Sequence, residues 1–281
     1  MLNARTRGWI TLVTLIGLTM AGSQVFAMDE ATAKELVQKI AHKDAAALKQ
    51  LEDNAGNGDA LAQDRLGLIY LAGQGVEVNY PLAREWLLKS AAQNFADAES
   101  HLAYMYEQGL GTKKDIDEAV RWYEKAGKHG NVASCFNLGL MYEQGTGLTK
   151  DAELAKKWYR KAAEMGMVAA QLNLGALYVG KEGLKQDYDE GFRWFSKAAE
   201  AGNAKAMTNL GEMYQKGLGV KQSDVDALNW YQKAADAGYW MAMGNISQAY
   251  REGKLGLPQD SKKADEWYQK YLAAQIGQNK N

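Results

Sequence analysis

Cysteine, histidine and proline are scarce in this chain of 281 residues, which contains one Cys, three His and two Pro. The single cysteine, Cys135, excludes an internal disulfide even in an oxidising compartment. We interpret it as a small buried apolar side chain on a helix rather than as a reactive thiol. The histidines are His42, His101 and His129, and none has a second ligand at a metal-binding spacing. We therefore expect helix-end or solvated histidines, no metal site and no cofactor.

The sequence also has no excess of basic residues. The chain carries 33 Lys and Arg against 34 Asp and Glu, a formal net charge of −1. A surface that binds phosphate backbones needs concentrated Lys and Arg, and no such stripe stands out in the sequence. Nucleic acid is therefore not an expected partner. The hydrophobic share of 47% and the charged share of 24% are ordinary for a folded globular protein.

Only the N-terminus contains a long apolar run. Arg5 and Arg7 precede an apolar segment over residues 9–20, and Val25-Phe26-Ala27 fits a cleavage site after Ala27. The alternative is an uncleaved membrane anchor, but twelve residues of helix span only about 18 Å of a hydrocarbon core that is roughly 30 Å thick. The pattern predicts a signal peptide over residues 1–27, a periplasmic or secreted chain, and no stable membrane insertion after cleavage.

What the sequence does contain is an internal repeat of 36 residues. The tyrosines in register are Tyr70, Tyr106, Tyr142, Tyr178, Tyr214 and Tyr250. The tryptophans in register are Trp86, Trp122, Trp158, Trp194, Trp230 and Trp267, the last displaced by one residue. A column of small residues includes Gly67, Gly139, Gly175 and Gly211. Glycine costs about 1 kcal/mol in a helix interior, so its recurrence indicates that a neighbouring helix approaches closely there.

Each repeat reads as two helices. In the third repeat, Leu138, Met141 and Tyr142 stand at i, i+3 and i+4, which places three large side chains on one helical face. The first helix is expected to end at a glycine such as Gly145, which tolerates the left-handed capping conformation. The second helix is expected to begin after a short polar residue such as Asp151, whose side-chain oxygen accepts a free backbone N–H.

The segment NLGLMYEQGTGLTKDAELAKKWYRKAAEMG, residues 137–166, resembles the Sel1-like repeat, a longer relative of the tetratricopeptide repeat. Matching copies extend from residue 60 to about residue 274. The resemblance implies an all-α solenoid of stacked antiparallel helix pairs, wound into a right-handed superhelix whose concave inner surface is lined by the first helices. The expected repeats are residues 60–95, 96–131, 132–167, 168–203, 204–239 and 240–274.

The segments that flank the repeats lack the tyrosine and tryptophan columns. Residues 28–59 still contain two helical patterns, at 30–41 and 44–55, and we interpret them as a degenerate N-terminal cap. Such a cap is needed because a terminal repeat would otherwise expose its apolar face. The C-terminal tail, residues 275–281, is expected to continue the last helix and then fray.

The resemblance implies a scaffold that binds a protein or peptide partner of the cell envelope. In the tetratricopeptide register, the sixth position of the first helix would hold the backbone of an extended peptide, since an Asn amide offers both a donor and an acceptor. The residues at this position are Arg65, His101, Asn137, Asn173, Asn209 and Asn245. The neighbouring groove positions are Tyr104, Phe136, Leu140 and Leu172. In the alternative interpretation the Asn side chains brace loops or adjacent helices, and helix packing covers the apolar residues.

Catalysis is not expected, and no catalytic residues are predicted. Some cysteine-rich members of the family have been linked to penicillin binding and β-lactam hydrolysis, but they carry paired cysteines in each repeat, which this chain lacks. No Ser has Lys three residues later, as a serine β-lactamase requires. A β-lactamase-like or cell-wall-acting enzyme is the first alternative function, and a peptidoglycan- or glycan-binding module is the second. The sequence does not choose between envelope maintenance, signalling and host interaction.

Overall fold

The computed structural model describes residues 27–180 and 185–278 and confirms the all-α class. Fourteen helices and no strand occur in this part of the chain. They are α1 (Glu30–Ala41), α2 (Ala45–Gly56), α3 (Ala60–Ala72), α4 (Tyr80–Ala91), α5 (Ala96–Gln108), α6 (Ile116–Lys128), α7 (Val132–Gln144), α8 (Ala152–Glu164), α9 (Val168–Val179), α10 (Tyr188–Glu200), α11 (Ala204–Lys216), α12 (Asp224–Asp236), α13 (Trp240–Glu252) and α14 (Ser261–Gln278). The expected signal peptide, apart from Ala27, and the last three residues of the tail lie outside the described residues.

The helices form hairpins that stack in chain order. From α3–α4 to α13–α14, the first helix of each repeat packs most extensively against the second helix of the same repeat. Each second helix then packs against the first helix of the next repeat. The hairpin of α1 and α2 occupies the segment expected to cap the array, and both of its helices contact α3. The arrangement is a solenoid, in which contacts are made between neighbours along the chain.

Short polar side chains cap the second helices. Asp115, Asp151 and Asp187 each accept the backbone N–H of the residue three positions later, at 2.9, 2.9 and 3.0 Å. Asn79, Ser223 and Asp260 make the same contact in the remaining repeats. These bonds satisfy donors that the first turn of a helix leaves free, so the chain turns into the second helix at a fixed residue.

Glycine ends the first helix in five repeats. Gly73, Gly109, Gly145, Gly217 and Gly253 have φ between 64° and 74°, in the left-handed region. The fourth repeat departs from this pattern, as its sequence indicates. There Gly180 follows α9 with an extended backbone, at φ −72° and ψ 174°.

The small-residue column lies where paired helices approach most closely. A Cβ on Gly139 would come within 2.4 Å of Cδ1 of Tyr159, from the second helix of the same repeat. Gly175 and Gly211 face Phe195 and Tyr231 in the same way, both at 2.7 Å. The absence of a side chain in α7, α9 and α11 therefore makes room for a large ring from the partner helix. This is the packing reason that the sequence indicated.

Cys135 is a buried free thiol, as expected from its isolation in the sequence. It lies in a core cluster that also contains Leu138, Trp158 and Tyr159. Burial raises the pKa of the thiol above its usual value, which lowers its reactivity.

Candidate functional site

The candidate site is the surface formed by the solvent-accessible side chains of the first helices α3, α5, α7, α9, α11 and α13, which we call the first-helix face. The sixth position of each of these helices reaches it. Arg65, His101, Asn137, Asn173 and Asn209 are half-buried, and Asn245 is exposed. Every residue of the column therefore has solvent-accessible surface with which it can contact a partner.

The first two members of the column are already engaged within the protein. Arg65 donates to Asp64, with an Nη1–Oδ2 distance of 2.6 Å, and to both carboxylate oxygens of Glu30 at 3.1 Å. His101 approaches the other oxygen of Asp64 through Nδ1 at 2.8 Å. The Asp64 side chain is completely buried. Arg65 and His101 thus stabilise a buried carboxylate, and both have a structural role that the sequence did not indicate.

A second buried carboxylate explains another histidine. Glu99 in α5 has no exposed side-chain surface, and its Oε2 lies 2.7 Å from Nδ1 of His129 and its Oε1 lies 3.1 Å from Nζ of Lys125. His42 and His129 lie at helix ends, as expected, at the C-caps of α1 and α6. The expectation was incomplete for His101 and His129, because both pair with buried acids. The part of the chain that the structure describes contains no group of three or more His, Cys, Asp or Glu side chains arranged to hold a metal ion.

The middle of the Asn column lies beside buried phenols. Tyr123 in α6 donates to Glu107 at 2.8 Å, and Tyr159 in α8 donates to Glu143 at 2.5 Å. Burial, followed by these bonds to carboxylates, raises the pKa of both phenols well above the usual value. The amides of Asn137 and Asn173 act in the opposite direction, as hydrogen bonds that lower the pKa of Tyr123 and Tyr159 respectively.

Both Asn side chains therefore lie beside a tyrosine of the preceding repeat, which is the arrangement that the bracing role requires. Repeat 4 differs, since it has Phe195 at the position where repeats 2, 3, 5 and 6 have a tyrosine. Asn209 therefore faces a ring without a hydroxyl group. Its amide therefore has no phenol to brace in the preceding repeat.

In the part of the chain that the structure describes, a pair of similar clefts opens on the first-helix face. The cleft between repeats 2 and 3, which we call the first cleft, has a volume of about 340 Å³. It is lined by Tyr104, Glu107, Gln108, Tyr123, Asn137, Leu140, Met141, Gln144 and Thr146. The structure thus brings three of the predicted groove residues, Tyr104, Asn137 and Leu140, into one cleft.

The cleft between repeats 4 and 5, which we call the second cleft, has a volume of about 330 Å³. It is lined by Ala176, Val179, Gly180, Tyr188, Phe195, Asn209, Glu212, Met213, Lys216 and Leu218. Tyr188 apart, each of these residues lies 72 positions, or two repeats, after a lining residue of the first cleft. The repeat therefore builds the same cleft twice with different side chains.

Phe136 and Leu172 lie elsewhere. Both are half-buried and pack against core clusters, and the Phe136 ring lies 5.6 Å from the ring of Tyr159 between centroids. Sequence reasoning missed Glu107 and Tyr123, which form a wall of the first cleft. The signal that could have found them is the tyrosine directly after the tryptophan in repeats 2, 3, 5 and 6, together with a Glu or Gln 16 positions before it.

Stacked helical hairpins with clefts between their first helices define an open α-solenoid of the tetratricopeptide-like class. The Sel1 repeat model matches residues 60–95, 96–131, 132–167, 168–203, 204–239 and 240–270. The chain belongs to the Sel1 repeat family. Proteins of this family generally act as scaffolds for protein–protein interaction.

Two solved structures resemble the chain along most of its length. One is c5321, described as a protective antigen present in uropathogenic Escherichia coli strains; it is 31% identical with a TM-score of 0.76, and the match covers 86% of this chain and 53% of that one. This chain therefore spans about half the length of c5321. The other is a Sel1 repeat protein from Oxalobacter formigenes, 32% identical with a TM-score of 0.73, with coverage of 88% and 100%. The comparison with curated proteins gives no match.

Proposed function

We propose that the chain is a non-catalytic scaffold that binds a segment of another protein on its first-helix face. The observation that carries this proposal is the pair of matched clefts, each with an Asn amide of the sixth-position column in its lining. An amide at this place can pair with a peptide group irrespective of the side chain that the peptide carries. The clefts beside the amides supply room for side chains of the bound segment.

We also propose that the scaffold works in the bacterial cell envelope, either in the periplasm or after secretion. The support is the N-terminal pattern of Arg5, Arg7 and the apolar run before Ala27, together with the bacterial sources of the related structures. Among the described residues, none of the helices combines the length and the apolar character required to cross a bilayer. N-terminal sequencing of the protein recovered from the periplasm should give Met28 as the first residue. A first residue of Met1 in that fraction would contradict cleavage.

Site-specific photocrosslinking tests the binding surface. A photoreactive phenylalanine analogue at position 104, on the first-helix face, should yield a discrete protein adduct in envelope extracts. The matched control is the same analogue at position 157, which is exposed on the second helix α8. Equal yields from the two positions would contradict binding on the first-helix face.

The Asn column is tested in the same assay. The triple variant Asn137→Ala, Asn173→Ala and Asn209→Ala should lower the adduct yield from position 104 and leave the helical circular dichroism unchanged. An unchanged yield would assign the column to bracing alone. Turnover of a chromogenic β-lactam or of purified peptidoglycan, lost on a single substitution, would replace the scaffold with the enzyme alternative.

A further inference from the structure

The two clefts share their architecture and differ in chemistry. The first cleft has Tyr104, Glu107 and Tyr123 at the places where the second has Ala176, Val179 and Phe195. Two phenol rings and a carboxylate are thus replaced by a methyl group, a branched aliphatic side chain and a phenyl ring. The repeat therefore forms one polar, acidic cleft and one apolar cleft on the first-helix face.

The negative charge of the first cleft is not neutralised by contacts between its lining residues. The first helices α5 and α7 contain four acids and no Lys or Arg. Glu99 is paired with Lys125 and His129. Glu107, in contrast, accepts a hydrogen bond from the Tyr123 phenol, whose raised pKa keeps it neutral, so this contact leaves the carboxylate charge uncompensated.

The second cleft offers apolar contact around its amide. Phe195 and Met213 are buried, and Leu218 is half-buried beside them. The charged side chains at this cleft, Glu212 and Lys216, bond to each other one helical turn apart and are exposed. The floor is therefore free of unpaired charge, and its volume of about 330 Å³ accommodates a large aliphatic or aromatic side chain.

We propose that the partner segment places a Lys or Arg side chain in the first cleft and a large apolar side chain in the second. This inference rests on the proposed function and specifies the chemistry of the segment. A cation in the first cleft would gain a carboxylate at Glu107 and the exposed ring of Tyr104. The amides of Asn137 and Asn209 lie at matched places in the two clefts, where they would bond the segment's backbone.

The separation of the two anchor residues follows from the repeat. First helices of adjacent repeats can be in contact, as α3 and α5 are. Packed helices lie roughly 8–10 Å apart, so clefts two repeats apart correspond to on the order of six extended residues. A spacing series around this value is therefore the appropriate probe.

The test uses fluorescent peptides and the full chain. Each peptide carries one Lys and one Leu in an Ala-Ser background, at separations from four to eight residues, and binding is measured by fluorescence anisotropy. We expect one separation to bind best, and replacement of its Lys by Gln to weaken binding about fivefold, the effect of one partly exposed ion pair. Replacement of its Leu by Ser should also weaken binding.

Two variants assign the anchors to their clefts. Glu107→Gln removes the charge and keeps an acceptor for Tyr123, as Gln215 already does for Tyr231 at 3.0 Å. It should abolish the preference for Lys over Gln and retain the preference for Leu over Ser. Ala176→Arg places a long side chain in the second cleft from an exposed helical position and should abolish the preference for Leu. Ala133→Arg, an exposed position on α7 that lines neither cleft, is the matched control.

The outcomes separate the inference from the proposed function. Peptide binding that ignores Lys, or that keeps its Lys preference in Glu107→Gln, overturns the inference and leaves the scaffold intact. Displacement of the peptide by soluble peptidoglycan fragments would show that the clefts bind a glycan, and it would overturn the inference also. If no peptide binds and position 104 yields no adduct, both proposals fail.

Discussion

Asp64 and Glu99 are unusual residues in this fold because both side chains are completely buried acids. A buried carboxylate is stable only when charged or polar partners compensate the loss of hydration. Each has two: Arg65 and His101 for Asp64, and Lys125 and His129 for Glu99. At the place of Glu99 and His129, repeat 1 has Gln63 and Gln93, whose amides bond at 2.8 Å. The same two positions therefore hold either a charged pair or a neutral pair.

We expect His129→Ala to destabilise the protein by about 1–3 kcal/mol, the cost of leaving a buried polar group without its hydrogen bond. The double variant Glu99→Gln, His129→Gln recreates the amide pair of repeat 1 and should recover most of this loss. Urea unfolding followed by circular dichroism measures both. A double variant no more stable than His129→Ala would show that the pair is not the cause.

Gly139 supports a second prediction at the residue scale. Replacement by Ala would gain about 1 kcal/mol of helix propensity in an isolated helix. Here the added methyl would meet the Tyr159 ring at 2.4 Å, and that ring is buried and held by its bond to Glu143. Overpacking of this kind costs typically 1–3 kcal/mol, so after the gain in helix propensity we expect a net destabilisation of up to about 2 kcal/mol in urea unfolding.

The control is Gly56→Ala, at the end of α2, where an added Cβ meets nothing within 4 Å. It should be neutral or stabilising. Equal losses from the two substitutions would mean that backbone flexibility, and not the contact with Tyr159, determines the effect.

At the scale of the helix, the sequence predicted most of the structure. Glycines and short polar caps mark the ends and starts of the helices because their chemistry is local: a left-handed turn or a side-chain oxygen acts within four residues. The buried acids were not predicted, because their histidine partners come from other repeats or other helices. His101 is 37 residues from Asp64, and His129 is 30 residues from Glu99. The one sequence signal for Asp64 and Glu99 is that most other repeats have an apolar or small residue at the same position.

Asp151, the N-cap of α8, provides a test of the element boundaries. Its Oδ1 accepts the backbone N–H of Leu154 at 2.9 Å. Asp151→Ala should cost about 1 kcal/mol, since a helix-start donor loses its partner. Asp151→Ser should retain most of the stability, because Ser223 caps α12 by the same contact at 3.2 Å. Thermal or urea unfolding that ranks Ser no better than Ala would contradict a capping role.

At the scale of the whole molecule, the site was predicted in part. The repeat register placed Tyr104, Asn137 and Leu140 on the first-helix face, and the first cleft contains all three. The register could not predict the clefts themselves, since each is formed by side chains of three helices from two repeats. Nor could it separate Asn209 from Asn137 and Asn173, because that distinction depends on Phe195 in a different helix of the preceding repeat.

A solenoid also predicts how far a perturbation spreads. Leu51 of α2 is completely buried in a cluster with Leu66 and Ile69 of α3, so the N-terminal hairpin covers the apolar face of repeat 1. Leu51→Ala should cost about 2–5 kcal/mol locally. Because each repeat contacts mainly its neighbours, amide hydrogen exchange should rise in α1, α2 and α3 and stay unchanged from α9 onward.

The matched control is Lys49→Ala, on the solvent side of the same helix, which removes only an exposed ion pair with Asp53. Such pairs contribute about 0–1 kcal/mol, so exchange should be close to that of the wild-type chain. Faster exchange in every repeat of Leu51→Ala would show that the array unfolds as one cooperative unit. In that case the hairpin would stabilise the whole solenoid, including both clefts, and peptide binding at the second cleft would weaken together with repeat 1.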